Sequence, residues 1–224
     1  MIVAEPKALE EIVPLIEGLD TVYVLGCGTC VTVCLTGGDR EAHILAQELS
    51  NPALYDGRPP TFEVETIERQ CERDMLKAYQ EIPAHCDAVL SLACGAGVQT
   101  LSSIYHQLPI FPALNTTFLG ALDEPGLWGE KCYGCGDCVL ARTGGICPVA
   151  RCAKRLFNGP CGGSKDGRCE INKETDCAWA LIIARLMNLK RLDLYEDIIP
   201  PKNWSKDRGG GPRRMNRTGH DVAL

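Results

Sequence analysis

Apolar positions in the first half of the chain alternate between two spacings. Leu9, Ile12, Val13 and Ile16 recur at helical spacing after Pro6, and Gly18 ends that pattern. TVYVL (21–25) is a continuous apolar run with the length of a buried strand. A helix over 39–50 follows, closed by Asn51-Pro52, and TFEVETI (61–67) alternates as a strand. Residues 71–82 read as a helix, 87–93 as a strand, 98–108 as a helix and 109–114 as a short strand. Strands separated by helical patterns predict parallel βαβ units with right-handed crossovers. The fold class expected is α/β: a small doubly wound, mostly parallel, Rossmann-like sheet over residues 1–120, with strand order 2-1-3-4.

From residue 121 the pattern changes. Eight cysteines lie between Cys132 and Cys177, among many glycines and few large apolar residues. Such a segment buries little core and needs staples. A helical pattern over 173–189 then puts Trp179, Ile182, Ile183, Leu186 and Leu189 on one face. That face is expected to serve core packing, holding the cysteine domain onto the sheet, in preference to a partner interface. Residues 121–200 are thus expected to form a cysteine-rich, loop-dominated iron–sulfur or zinc domain with a C-terminal helix, and 201–224 a basic flexible or partner-docking tail.

Composition narrows the function. The 224 residues are 45% hydrophobic and 23% charged, which excludes general disorder. No stretch of about 18 uncharged apolar residues is present, so no membrane span is expected. The net charge is −6, and six basic residues of the tail (Lys202, Lys206, Arg208, Arg213, Arg214, Arg217) outnumber its two acidic ones, leaving the body more acidic still. An acidic body does not suit nucleic acid. The N-terminus lacks the basic start of a secretory signal, so a cytoplasmic location with reduced thiols is expected. Fourteen cysteines in that setting argue for metal ligation rather than disulfides.

Their spacing defines three candidate sets. GCGTCVTVC after the first strand carries Cys27, Cys30 and Cys34. A dinucleotide fingerprint fails there, because Val31 stands at its third glycine. Cys94, which follows the third predicted strand, faces the same switch-point crevice and completes a quartet suited to a 4Fe–4S cluster or tetrahedral zinc. Gly95 and Gly97 there would admit close backbone approach to a cluster. Cys71 is the reserve ligand, and Cys86, at the opposite sheet edge, reads as a buried hydrophobe. Cys132, Cys135 and Cys138 form C-x2-C-x2-C, and Cys147 is followed by Pro148. This is ferredoxin-like, except that eight residues rather than three precede the Cys-Pro pair, so Cys152 competes with Cys147 as fourth ligand. Cys152, Cys161, Cys169 and Cys177 remain as a third set, for iron–sulfur or zinc. Arg151, Lys154, Arg155, Lys165 and Arg168 can offset an anionic cluster, and the amides of Gly134, Gly136, Gly162 and Gly163 can donate to its sulfurs. His43, His85, His106 and His220 show no ligand spacing, and neither a nucleophile elbow nor a P-loop is present. Redox wiring with no visible place for substrate or organic cofactor is the profile of an electron-transfer subunit.

KCYGCGDCVLARTGGICPVARCAKRLFNGPCGG closely resembles the methylenetetrahydrofolate reductase C-terminal domain. With GCGTCVTVC and SLACGAG upstream, residues 20–190 resemble the small MetV-type iron–sulfur (zinc-finger-like) subunit of that enzyme, found in acetogenic bacteria. The resemblance implies a flavin-bearing MetF-type partner that reduces methylenetetrahydrofolate in the Wood–Ljungdahl pathway, with further electron-donating subunits in some complexes. It implies two or three 4Fe–4S clusters or zinc at one site, no flavin in this chain, and no folate reduction by the chain alone. The rival expectation is a zinc-stabilised scaffold, or an accessory subunit of the same folate and corrinoid pathway, with no electron-transfer role.

Overall fold

The computed structural model describes residues 1–78, 82, 85–207, 211–213 and 215. The end of the helix expected over 71–82 and most of the basic tail, His220 included, lie outside the described residues. The chain divides into two compact units, Met1–Gly129 and Glu130–Leu224. No helix among the described residues is long and apolar enough to cross a membrane.

In the first unit the elements run β1 (Ile2–Pro6), α1 (Leu9–Ile16), β2 (Thr21–Cys27), α2 (Cys30–Val33), α3 (Asp39–Leu49), β3 (Thr61–Ile67), α4 (Arg73–Ala78), β4 (Ala88–Ser91), α5 (Gly95–Ser102), β5 (Ile110–Pro112) and β6 (Leu114–Glu124). β7 (Leu127–Cys132) carries the chain out of it. The main sheet has the order β3-β2-β4-β5, all parallel, which is the expected doubly wound arrangement. β2 sits centrally, with Val22 opposite Phe62 of β3 and Ala88 of β4.

Side-chain alternation along β2 and β4 sends residues to two faces. Val22, Val24 and Leu90 join the buried side of α1 and α3 in one hydrophobic cluster, while Tyr23, Leu25 and Val89 join Ile67, Leu76 and Leu101 in another. α3 buries Ala42, Ala46 and Leu49, one apolar stripe at helical spacing. Its start is closed by Glu41, whose carboxylate accepts the Gly38 N–H at 3.1 Å. At the N-terminal sheet edge Asp87 accepts the N–H groups of Asp20 (2.8 Å) and Thr21 (2.9 Å), and these hold its carboxyl below the usual carboxylate range.

The structure adds a second sheet that periodicity does not anticipate, with order β1-β6-β7. β1 pairs antiparallel with β6, Ile2 opposite Leu119, and a bulge falls between Val3 and Ala4. Five residues are too few to show a period, so the strand before Pro6 is silent in the sequence. Pro125-Gly126 separates β6 from β7, and Gly126 has φ +83, which the third residue of a type II turn requires.

The second unit contains α6 (Pro148–Arg151), α7 (Ala178–Asn188) and α8 (Asp193–Glu196) between long irregular segments. α7 starts five residues later than its apolar pattern suggests. The backbone before it is committed elsewhere: Cys169 N–H donates to Thr175 O, Arg168 bridges Asp176, and Cys177 N–H donates to Gly167 O. Trp179, Ile182 and Leu186 are buried with Cys177 against Ile146, Leu156 and Leu194, so α7 supplies the core of its own unit. Ile183 is half-buried and Leu189 exposed.

Candidate metal centres

The first candidate set gathers at the C-terminal edge of the main sheet. β2 ends on Cys27, α2 begins at Cys30 and is capped by Cys34, and Cys94 caps the start of α5 directly after β4. The loop is closed by its own residues: Cys27 N–H donates to Gly37 O (2.8 Å), and the Thr32 hydroxyl to Cys27 O (2.7 Å). Cys27 and Cys34 are buried in the cluster against which Cys94 packs. Cys34 Sγ also lies 3.1 Å from Thr36 Oγ1. The reserve residue, Cys71, belongs to the same neighbourhood: desolvation first, then Cys94 and Cys27, push its thiol up.

Two features here differ from expectation. Gly97 serves protein packing rather than a cluster, since a Cβ there would come 2.6 Å from Ala93 Cβ and 3.0 Å from Gln70 Cβ. A Cβ on Gly95 would make ordinary contact with Thr116 Oγ1 (3.7 Å), and the Gly95 N–H donates to that oxygen at 2.8 Å. Gln70 carries no sequence signal, yet it is fully buried and braces the crevice. Its Nε2 donates to Leu25 O (2.8 Å) and Gly26 O (3.0 Å), and its Oε1 accepts from Ser91 Oγ (2.6 Å), tying the ends of β2 and β4 together.

The second set lies in the other unit. Cys132, Cys135, Cys138 and Cys147 line one cavity of about 320 Å³. Cys132 ends β7, and Cys147 caps α6 with Pro148 at its first position. The loop turns on Gly134 (φ +67) and Gly136 (φ +79). Gly134 N–H donates to Cys132 Sγ at 3.3 Å, one of the amide–sulfur contacts expected. Cys135 is buried, whereas Cys132 and Cys138 are exposed.

The third set, Cys152, Cys161, Cys169 and Cys177, borders a separate and much tighter void of about 20 Å³. Cys177 caps α7. Desolvation raises its thiol, but hydrogen bonds from Ser164 and the N–H groups of Ala180 and Trp179 outweigh this and hold it below the ordinary thiol value. Cys161 Sγ contacts Glu170 Oε2 at 3.3 Å, and Glu170 also pairs with Lys154.

Among the described residues no three of these sulfurs lie mutually within 4.8 Å. The second and third sets each share a cavity, and none of the three closes to a tetrahedral site, whose sulfur–sulfur edge is about 3.8 Å for 2.3 Å bonds. The group that does converge within 4.8 Å is Glu63, His85 and Cys86. His85 Nε2 lies 2.6 Å from Glu63 Oε1, and burial, then Glu63 and Asp87, push the Cys86 thiol up to about 11. The adjacent His-Cys pair was its sequence signal. His43 Nδ1 contacts Asp39 O at 2.9 Å, and His106 lines an open cavity.

Several basic residues expected to offset a cluster have protein partners. Lys154 pairs with Glu170, Arg168 with Asp176 (2.8 Å), and Arg155 lies 4.3 Å from the Tyr133 ring centroid. The sequence reads Lys202 merely as one charge of a basic run. In the structure its side chain is fully buried, 3.7 Å from Asp137 Oδ2, inside the Cys132–Cys138 loop region.

Residues 111–205 match the model of the family described as methylene-tetrahydrofolate reductase C terminal. That stretch is thus similar to the family, and it holds all eight cysteines from Cys132 to Cys177. No curated protein and no solved structure matches the chain.

Proposed function

We propose that this chain is the iron–sulfur electron-transfer subunit of a methylenetetrahydrofolate reductase, working with a flavin-bearing MetF-type subunit. The observation that carries the reading is one cavity: the ferredoxin-like triplet Cys132, Cys135 and Cys138 lines it together with Cys147, within the stretch similar to that enzyme's C-terminal family. A cubane bound there exchanges one electron at a time. Cys132, Cys135, Cys138 and Cys147 would hold it, and Gly134 N–H already aims at a ligand sulfur. Cys27, Cys30, Cys34 and Cys94 would hold another at the switch-point crevice, with Cys71 beside them. The tight third void, with room for about one small sphere, favours a single zinc at Cys152, Cys161, Cys169 and Cys177.

Anaerobic purification followed by iron, sulfide and zinc analysis tests this. Two cubanes and one zinc give about eight irons and one zinc per chain, and a third cubane about twelve irons. Reduction should produce EPR signals, one of which Cys135→Ser removes. The reduced chain should also pass electrons to the flavin of a MetF-type partner. A colourless chain with zinc alone would establish the rival scaffold.

A further inference from the structure

We propose that the segment 202–207 is a strap over the Cys132–Cys138 loop, and that the Lys202 ammonium raises the reduction potential of the centre held there. The inference rests on the reading of that loop as a cluster site. Its starting point is an anomaly of charge. The Lys202 side chain has no exposed surface, and its Nζ has no hydrogen-bond partner among the described residues. Asp137 Oδ2 stands 3.7 Å away, beyond hydrogen-bond distance, and the Trp204 ring centroid 5.8 Å away. A buried ammonium so poorly solvated by protein is costly unless further negative charge lies close by. Asp137 sits between Cys135 and Cys138, so the ammonium is held at the loop whose thiolates would carry that charge.

The strap is built to stay there. Asn203 N–H donates to the same Asp137 carboxylate at 3.3 Å, and Asn203 Oδ1 accepts the Ser205 N–H at 3.1 Å. A Cβ on Gly136 would lie 2.6 Å from Lys206 O, so loop and strap meet backbone to backbone where glycine alone fits. Arg213 Nη1 closes the far side on Lys206 O at 2.9 Å. Lys154 and Arg168 of the same unit differ: each reaches its carboxylate within hydrogen-bond distance and keeps part of its side chain in water.

A cubane with four thiolates is already an anion, and taking one electron from a low-potential donor adds one more negative charge. A fixed positive charge therefore favours the reduced form. The test is a potentiometric titration of the full chain, purified anaerobically and followed by EPR, with Cys135→Ser identifying the loop's signal. In Lys202→Met that signal's midpoint should move negative. At the wild-type midpoint its reduced-to-oxidised ratio should fall about tenfold, the scale of one charge at an effective dielectric near 20. Lys202→Arg should stay near wild type, and the other signals should not move. Asp137→Asn, which preserves size, should shift the same midpoint in the opposite direction. A purely structural strap would not produce opposite signs. An unmoved midpoint in Asp137→Asn, or a shift of every signal together in Lys202→Met, overturns the strap while leaving the cluster reading intact. If Cys135→Ser costs neither iron nor signal, both fall.

Discussion

The unit Met1–Gly129 buries two hydrophobic clusters on opposite faces of its parallel sheet, whereas Glu130–Leu224 gathers Cys177, Trp179, Ile182 and Leu186 into one small cluster. Both carry cysteine quartets, but the quartets stand in different relation to their folds. In the first unit the thiols sit at the end of strands that are already held by ladder hydrogen bonds and apolar burial. In the second, Cys132 ends β7 and Cys177 caps α7, but the other cysteines hang on loops and the single turn of α6, and the apolar area that could order those loops is slight. A sheet can present a metal site without depending on it, whereas under the proposed reading loops with so little apolar burial would draw much of their order from bound metal.

Metal removal should break that comparison most visibly. Anaerobic chelation is expected to strip protection from the amides of 130–199 while those of β2 and β4 stay slow, as read by hydrogen exchange. A structural thiolate site is worth on the order of 10 kcal/mol to a small domain. Equal protection in both units after chelation would remove the distinction. Core truncation comes next. Leu90→Ala should cost the first unit about 2–5 kcal/mol, measured by urea unfolding. Trp179→Ala should cost the second about 3–5 kcal/mol and also the 2.8 Å bond from Trp179 Nε1 to Leu156 O, measured on the metal-loaded chain.

Gln70→Leu sharpens the comparison inside the first unit. It leaves Leu25 O and Gly26 O without their side-chain donor, at about 1–3 kcal/mol, and loosens the floor of the crevice. Under the proposed reading, the iron content and EPR signal assigned to Cys132, Cys135, Cys138 and Cys147 should be unaffected, which metal analysis and EPR can check. The smallest effect concerns acid. Asp87 has a lowered folded value, so its contribution is complete above the ordinary carboxyl value of about 4 and is lost as pH falls through the lower folded one. Asp87→Asn should flatten the pH dependence of the first unit's melting temperature below about pH 4 and leave the second unit's melt unchanged.

Much of this was legible because strong periods leave strong marks. TVYVL, TFEVETI and the Asp39–Leu49 stripe appear where expected, and the observed strand order brings Cys94 to the crevice beside Cys27. The β1 strand was not legible, since five residues whose partners begin at Leu114 of β6 show neither period nor partner locally. Gln70 and Lys202 escaped for a related reason. A glutamine between Arg69 and Cys71, and a lysine in a basic run, look like surface residues until burial turns each into an electrostatic or hydrogen-bonding necessity.

The sequence by itself determined the local chemistry: thiols at close spacing, glycines where the loop must turn, an apolar stripe on α7, and a parallel α/β frame. These follow from residue type and short-range spacing, which a linear chain states directly. The tertiary structure alone decided which cysteines share a cavity, that one cavity is wide and the other tight, and that the ammonium of Lys202 is buried at the Asp137 loop. Those are facts about distance through space and exclusion of water, and both arise when the chain closes on itself.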